Sequence, residues 1–328
     1  MLRLGSLRTL ARFPTHVRNL ETELKKQRKE LRQLNKTVES MRKSLGSGGA
    51  LYPLVARTHA DVEALLRHVA IDMNTLDPTS RLVARRFGLL SQNAEDGITL
   101  AILEQIGASA RRFVDIGCGW NGGNCGVLAL ELGWTGAMFD ADPDAIRQAR
   151  LRFAGPRVSV VESRVTRENA NDLVAAELGS DEIDVLSIDI DGNDYWVLEA
   201  LIHRKPRLIV FEYNATLGPD RAVSVPYEPD FVMERGSSYY GASLAAFHAL
   251  GRRSGYRLVA VEPRGVNAFL VRDDAAGSLP ALSPADAFRP LVPAKLARGQ
   301  ELSASAARRA EQHAALDRRY VDLGDSAR

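Results

Sequence analysis

Cysteine is nearly missing from this chain: 328 residues contain two, Cys118 and Cys125. Two thiols supply neither a disulfide framework nor, unaided, a zinc site, so a reducing, cytoplasmic setting is the expectation. No apolar run approaches the ~18 residues that cross a bilayer, and the N-terminus lacks the apolar core of a secretory signal. A dominant charge is also missing, the formal net being +2. That total hides an asymmetry, because residues 1–48 carry twelve Lys/Arg against four Glu, a net of +8, and leave −6 for the remainder. A basic globular face for nucleic acid is therefore not indicated. What is present suits a globular protein larger than one ordinary domain, at 45% apolar and 26% charged residues.

The basic segment has its own pattern. Val17, Leu20, Leu24, Gln27, Leu31, Leu34, Val38, Met41 and Leu45 alternate spacings of three and four, a coiled-coil stripe with one polar d position at Gln27. Homo-oligomerisation through residues 17–45 is the expectation, with Gly46-Ser47-Gly48-Gly49 as a flexible stop. Residues 1–20 hold no acid and five basic residues counting His16, so membrane-surface contact of an otherwise cytoplasmic protein stays open as a secondary expectation. The chain divides into an arm and coiled-coil helix (1–49), a helical lead-in (50–87), an α/β domain (88–275) and a helical extension (276–328), in which 320–323 has the pattern of a terminal strand.

Within the α/β part, strands are predicted at 113–116, 136–139, 157–161, 183–190, 208–213, 257–261 and 268–272. Helices fill the gaps at 98–106, 125–132, 143–153, 169–178, 194–202 and 242–253. Alternation of this kind implies a Rossmann-like, doubly wound, mostly parallel seven-stranded sheet. The last two strands are too close for a parallel crossover and form an antiparallel final hairpin. Residues 217–240 make a long polar and aromatic loop after the fifth strand, a candidate lid, with Tyr227, Tyr239 and Tyr240 able either to stack on a ligand or to anchor the loop.

The first strand runs into Asp115-Ile116-Gly117-Cys118-Gly119-Trp120-Asn121-Gly122, and the second ends on Asp140. A strand, a Gly-x-Gly turn, a helix and a second acidic strand end suit an adenine nucleoside whose ribose hydroxyls meet that acid. Gly117, Gly119 and Gly122 also satisfy the dinucleotide pattern, but Asp115 at the strand end would repel a pyrophosphate and suits a cationic ligand such as S-adenosylmethionine. The nicotinamide reading stays open as the rival. Asp115, Gly117, Gly119, Gly122, Asp140, Glu162 at the third strand end and Asp189 at the fourth are the candidate cofactor residues.

Further acids crowd the next strand ends: Asp189, Asp191 and Asp194 after the fourth, Glu212 with Asn214 after the fifth. Unpaired buried carboxylates are costly, so three readings compete. Asp191 and Glu212 could orient or deprotonate an acceptor hydroxyl as general bases. Asp189 or Asp191 could join Glu212 and Asn214 in an all-oxygen Mg²⁺ site. The acids could also serve caps and turns, the expected role of Asp194 at the start of its helix. The acid–base reading leads, so Asp191 and Glu212 are the catalytic candidates and no metal ligand is assigned. His203 and His248 fall on helices and receive no catalytic role.

Four runs together resemble FkbM-type S-adenosylmethionine-dependent methyltransferases over about residues 88–275: Ser91-Gln92-Asn93-Ala94-Glu95-Asp96, residues 114–119, Phe139-Asp140-Ala141-Asp142-Pro143 and Ile188-Asp189-Ile190-Asp191-Gly192. Ala94 stands where the family usually has glycine, and Asp140 and Asp191 where it has glutamate. The resemblance implies a class I fold and O-methylation, often of sugars in glycans or natural products, with a small-molecule or glycan acceptor that the motifs do not identify. A non-catalytic coiled-coil interaction protein carrying the same fold is the remaining alternative.

Overall fold

The computed structural model describes Lys36 and residues 78–234, 237–291 and 319–323. The chain divides into two compact units, Met1–Asp77 and Pro78–Arg328. The coiled-coil stripe at 17–45, the lead-in from 50 to 77 and most of the extension beyond 291 lie outside the described residues.

The second unit opens with α1 (Pro78–Ala84) and α2 (Glu95–Ile106). It continues through β1 (Arg112–Ile116), α3 (Gly126–Leu130), β2 (Thr135–Asp140), α4 (Pro143–Phe153), β3 (Val158–Glu162) and α5 (Ala170–Leu178). Next come β4 (Val185–Ile188), α6 (Asp194–Leu201), β5 (Leu208–Glu212), β6 (Val223–Ser224) and α7 (Leu244–Arg253). The hairpin β7 (Tyr256–Val261) and β8 (Asn267–Arg272), α8 (Pro284–Ala287) and β9 (Val321–Asp322) complete it. Seven strands form one sheet in the order β3-β2-β1-β4-β5-β8-β7. The first five in that order are parallel, and β8 is antiparallel to both neighbours. This is the Rossmann-like sheet with the final hairpin expected from the pattern.

Both faces of the sheet are covered. Val114, Ile116 and Ile188 pack into one apolar cluster, whereas Phe113, Val185 and Val210 pack into the other. The chain order reverses between β1 and β4, so a cleft opens beyond their carboxyl ends. β4 is shorter than the predicted 183–190. Its pairing with β1 ends at Ile116↔Ile188, where β1 breaks into Gly117.

Two local features depart from the sequence reading. Helix α2 begins at Glu95 rather than 98, because Asp96 gathers the backbone N–H groups of Leu89, Leu90 and Ser91 at 2.7, 2.7 and 3.0 Å. Ser91 Oγ accepts the Asp96 N–H in return, closing the helix start onto its own approach. Ala94 just before it sits in the left-handed region at φ 71°, a conformation that favours glycine. The 217–240 segment is not free of secondary structure either, since β6 pairs antiparallel with β9 near the chain end. Among the described residues no helix is long and apolar enough to cross a membrane.

Candidate active site

The glycine turn is shaped by what passes behind it. A Cβ on Gly117 would lie 1.7 Å from the carbonyl oxygen of Asp189, and its φ of +87° is itself a glycine conformation. The β1 turn and the β4 turn therefore touch backbone to backbone at the switch point. Asp115 lies beneath this turn, fully buried, with one carboxylate oxygen accepting the Cys125 N–H at 2.8 Å. Its other oxygen has no partner, and burial pushes the group up to about 7. Gly122, also buried, packs against the Phe153 ring and the α3 backbone. Neither Asp115 nor Gly122 lines the cleft; both shape the turn that does.

Asp140 does line it. One of its oxygens accepts the Gly119 N–H and the other the Asp142 N–H, each at 2.8 Å. Each oxygen keeps a lone pair, so the carboxylate remains able to accept from two ligand hydroxyls. Gly119 enters the site through that amide. Glu162 pairs in register with Asp140 on the adjacent strand but is exposed and off the cleft wall. Ser163 and Val165 line the wall instead, one and three residues later. The turn and Asp140 fit a nucleoside with free hydroxyls.

The other half of the cleft is acidic. Asp189, Asp191 and Glu212 each offer a carboxylate oxygen within 4.8 Å of the others. Asp189 and Asp191 line the cleft, whereas Glu212 stands off its wall, 8% exposed and with an unpartnered Oε2. Burial first, then the negative charges of Asp189, Asp194 and Asp191, hold Glu212 well above the usual carboxylate range. Asp189 is raised in the same way, by burial and then by Asp194 and Asp191. Asp191 stands on the rim with φ 54°, a conformation that costs about 1–3 kcal/mol in a residue with a side chain.

Two expectations about this cluster are corrected. Asp194 does not cap its helix; its oxygens accept the Ile190 and Gly192 N–H groups at 2.8 Å each, bracing the loop that carries Asp191. Those bonds oppose the burial that pushes it up to about 6. Asn214 is no candidate ligand, because its amide is spent on the insertion: Nδ2 donates to the Ser238 and Tyr240 carbonyls and Oδ1 accepts from Thr216.

The tyrosines divide. Tyr227 bonds Glu168 and lies 6.2 Å from the Trp196 ring, anchoring the loop to the domain. Tyr239 donates to the Arg319 carbonyl and sits between the Phe231 and Tyr320 rings. Tyr240 is buried, and burial together with the charges of Glu212 and Asp191 raises its phenol, which places it beside the acids. Phe231 lines the cleft and covers Gly192, next to Asp191. Asn267, in the β7–β8 hairpin, is more than a turn residue. It pairs across the sheet with Glu212 and donates to Glu95 at 2.9 Å. Its signal in the sequence was the acid in Ser91-Gln92-Asn93-Ala94-Glu95-Asp96, but the partner is 172 residues away.

No protein-family model and no curated protein sequence matches this chain. Solved structures do. The chain is 14% identical to an S-adenosylmethionine-dependent methyltransferase from Mesorhizobium loti, over 55% of this chain and 98% of that one, with a TM-score of 0.34. It is 16% identical to the N-terminal domain of EvdMO1 with S-adenosylhomocysteine bound, over 56% and 81%, with a TM-score of 0.37. A methyltransferase from Geobacter sulfurreducens in complex with S-adenosylhomocysteine is 18% identical over 51% and 65%, with a TM-score of 0.33.

Proposed function

We propose that this protein is an S-adenosylmethionine-dependent O-methyltransferase acting on a hydroxyl of a sugar, glycan or natural product. The observation that carries the reading is the bond from Gly119 to Asp140 at the switch-point cleft, which joins the glycine turn to a ribose-ready carboxylate next to an acidic half-site. Gly117, Gly119 and Asp140 would hold the nucleoside, Asp115 and Gly122 keep the turn in shape, and Asp189 borders it; Glu162 stands outside the wall. S-adenosylmethionine, when bound, supplies a methyl group on a sulfonium, which passes to the acceptor oxygen as the carbon–sulfur bond breaks and a neutral thioether remains.

The chain's own work is positioning and proton handling. Asp191 on the rim and Glu212 behind it face the acceptor side, where a carboxylate raised by burial is poised to take the hydroxyl proton as the oxygen–carbon bond forms. Phe231 narrows the opening and excludes water.

Calorimetric titration with S-adenosylmethionine and S-adenosylhomocysteine, with NAD as control, tests the reading. Binding of the first two alone supports it. Binding of NAD alone would turn it into an oxidoreductase, and binding of none would leave an interaction protein.

A further inference from the structure

Several buried acids of this fold are held by donors, although Asp96 and Asp115 each keep one unpartnered oxygen. Asp184, fully buried at the opposite end of β4, accepts the Ser109 and Ala110 amides at 2.8 and 2.9 Å and lies 3.7 Å from the Arg207 guanidinium. Glu262 accepts the Arg264 and Val266 amides, and Asp96 accepts three. Each charge is matched by donors, as burial requires.

Glu212, which is buried, departs from this, as do the half-buried Asp189 and the exposed Asp191 beside it. Among the described residues no amide N–H, hydroxyl or basic side chain bonds to a side-chain oxygen of any of the three. Three acceptor groups within 4.8 Å of one another, one of them 8% exposed with an orphaned oxygen, are an arrangement that repels itself unless a cation stands among them. A second, separate observation points the same way. Asn193 is 6% exposed and lines the same cleft, and its Oδ1 has no partner although its Nδ2 is bound to the Glu228 carbonyl.

The geometry points to a divalent cation site formed by Asp189, Asp191 and Glu212, with the unpartnered Asn193 carbonyl oxygen on a residue of the cleft wall that Asp189 and Asp191 also line. The donors are all oxygen, which selects a hard ion: Mg²⁺, Mn²⁺ or Ca²⁺. Three protein carboxylates leave roughly half of a six-ligand sphere open toward the cleft. Resting on the methyl-transfer reading, those open positions would take the acceptor hydroxyl and a neighbouring oxygen. The favoured acceptors are then vicinal diols and hydroxy-carbonyl groups rather than isolated alcohols. The cation would lower the pKa of the hydroxyl it holds, and the Glu212 oxygen that does not bind the ion would take the hydroxyl proton as the methyl group arrives.

Chelator-treated full-length protein is titrated with Mn²⁺ alone, the free ion being followed by electron paramagnetic resonance, with S-adenosylhomocysteine binding measured separately by calorimetry. The expected result is saturable uptake of a single Mn²⁺, displaced by excess Mg²⁺ or Ca²⁺. Glu212→Gln and the rim variant Asp191→Asn should each weaken uptake on the order of tenfold or more. Both should melt no lower than the parent, because each relieves repulsion in the metal-free state. Asp286→Asn, an exposed acid away from the cleft, should bind Mn²⁺ like the parent. Absence of saturable uptake, or uptake unchanged in both cleft variants, would overturn the site. Uptake lost in those variants without any binding of S-adenosylhomocysteine by the parent would uphold the cation and remove methyl transfer.

Discussion

Gly117 and Asp189 meet backbone to backbone: a methyl group on the first would stand 1.7 Å from the carbonyl oxygen of the second. The contact fixes the distance between two adjoining turns that line the cleft. Gly117→Ala must move one of them and also hold a side chain at φ +87°. The cost should be about 2 kcal/mol or more, seen as a melting temperature lower by ~4–8 °C. Cofactor binding should fall with it. A variant that melts like the parent would mean that the turns separate freely.

Asp140→Ala should leave the sheet intact but remove the carboxylate that serves both Gly119 and the cleft. We expect S-adenosylhomocysteine affinity to drop on the order of a hundredfold, the loss of two charge-assisted hydrogen bonds. Asp140→Glu, the residue expected from the family resemblance, should recover most of it. Calorimetry on the two variants decides the matter.

Glu212→Gln separates binding from turnover. Cofactor affinity should be unchanged while methyl transfer to an acceptor is lost, because the variant can neither take a proton nor carry charge. Intact turnover would remove Glu212 from the mechanism.

The pH dependence of stability should show Asp115. Its carboxyl is raised from an ordinary 3.8 to about 7 by burial, against the lowering effect of the Cys125 N–H. The folded state therefore binds this proton more tightly than the unfolded chain does. Its stabilising effect is complete below pH ~4 and is lost as the pH rises through ~7. Between pH 5 and 8 the parent should lose about 2–3 kcal/mol through this group. Denaturant unfolding of Asp115→Asn should lack that share of the decline; parallel pH profiles for the two proteins would contradict it.

Ala94 holds a left-handed conformation at φ 71° in front of α2. Ala94→Gly should relieve it and stabilise the protein by about 1 kcal/mol, a gain of ~2–4 °C in thermal melting. An unchanged or lower melting temperature would show that the helix start tolerates alanine without strain.

The sheet was legible because its signals are local. Apolar runs ending in glycine or an acid mark each parallel strand, and all seven strands begin and end within two residues of their predicted bounds, β4 being shorter by two at each end. Asp140, Gly117 and Asp189 were legible at the site for the same reason. What escaped were pairings across the chain. The Glu95–Asn267 bond spans 172 residues, and no periodicity announces it. The engagement of Asn214 depends on the carbonyls of Ser238 and Tyr240, which arrive only when the insertion folds back. Asp115 looked like a ligand-facing acid from spacing alone, whereas its burial is decided by helix α3 closing over it.

The pairing of β9 with β6 has a temporal consequence. Strand β8 completes the seven-stranded sheet at Arg272, whereas the Leu323 amide that grips the Ala222 carbonyl comes 51 residues later. At ~5–20 residues per second a ribosome takes roughly 3–10 s over that interval. During it the nascent sheet exists while the stack Tyr320–Tyr239–Phe231 at the cleft wall has no outer member. The sheet that frames the cleft is thus complete in the chain before β9 can fasten the insertion through β6.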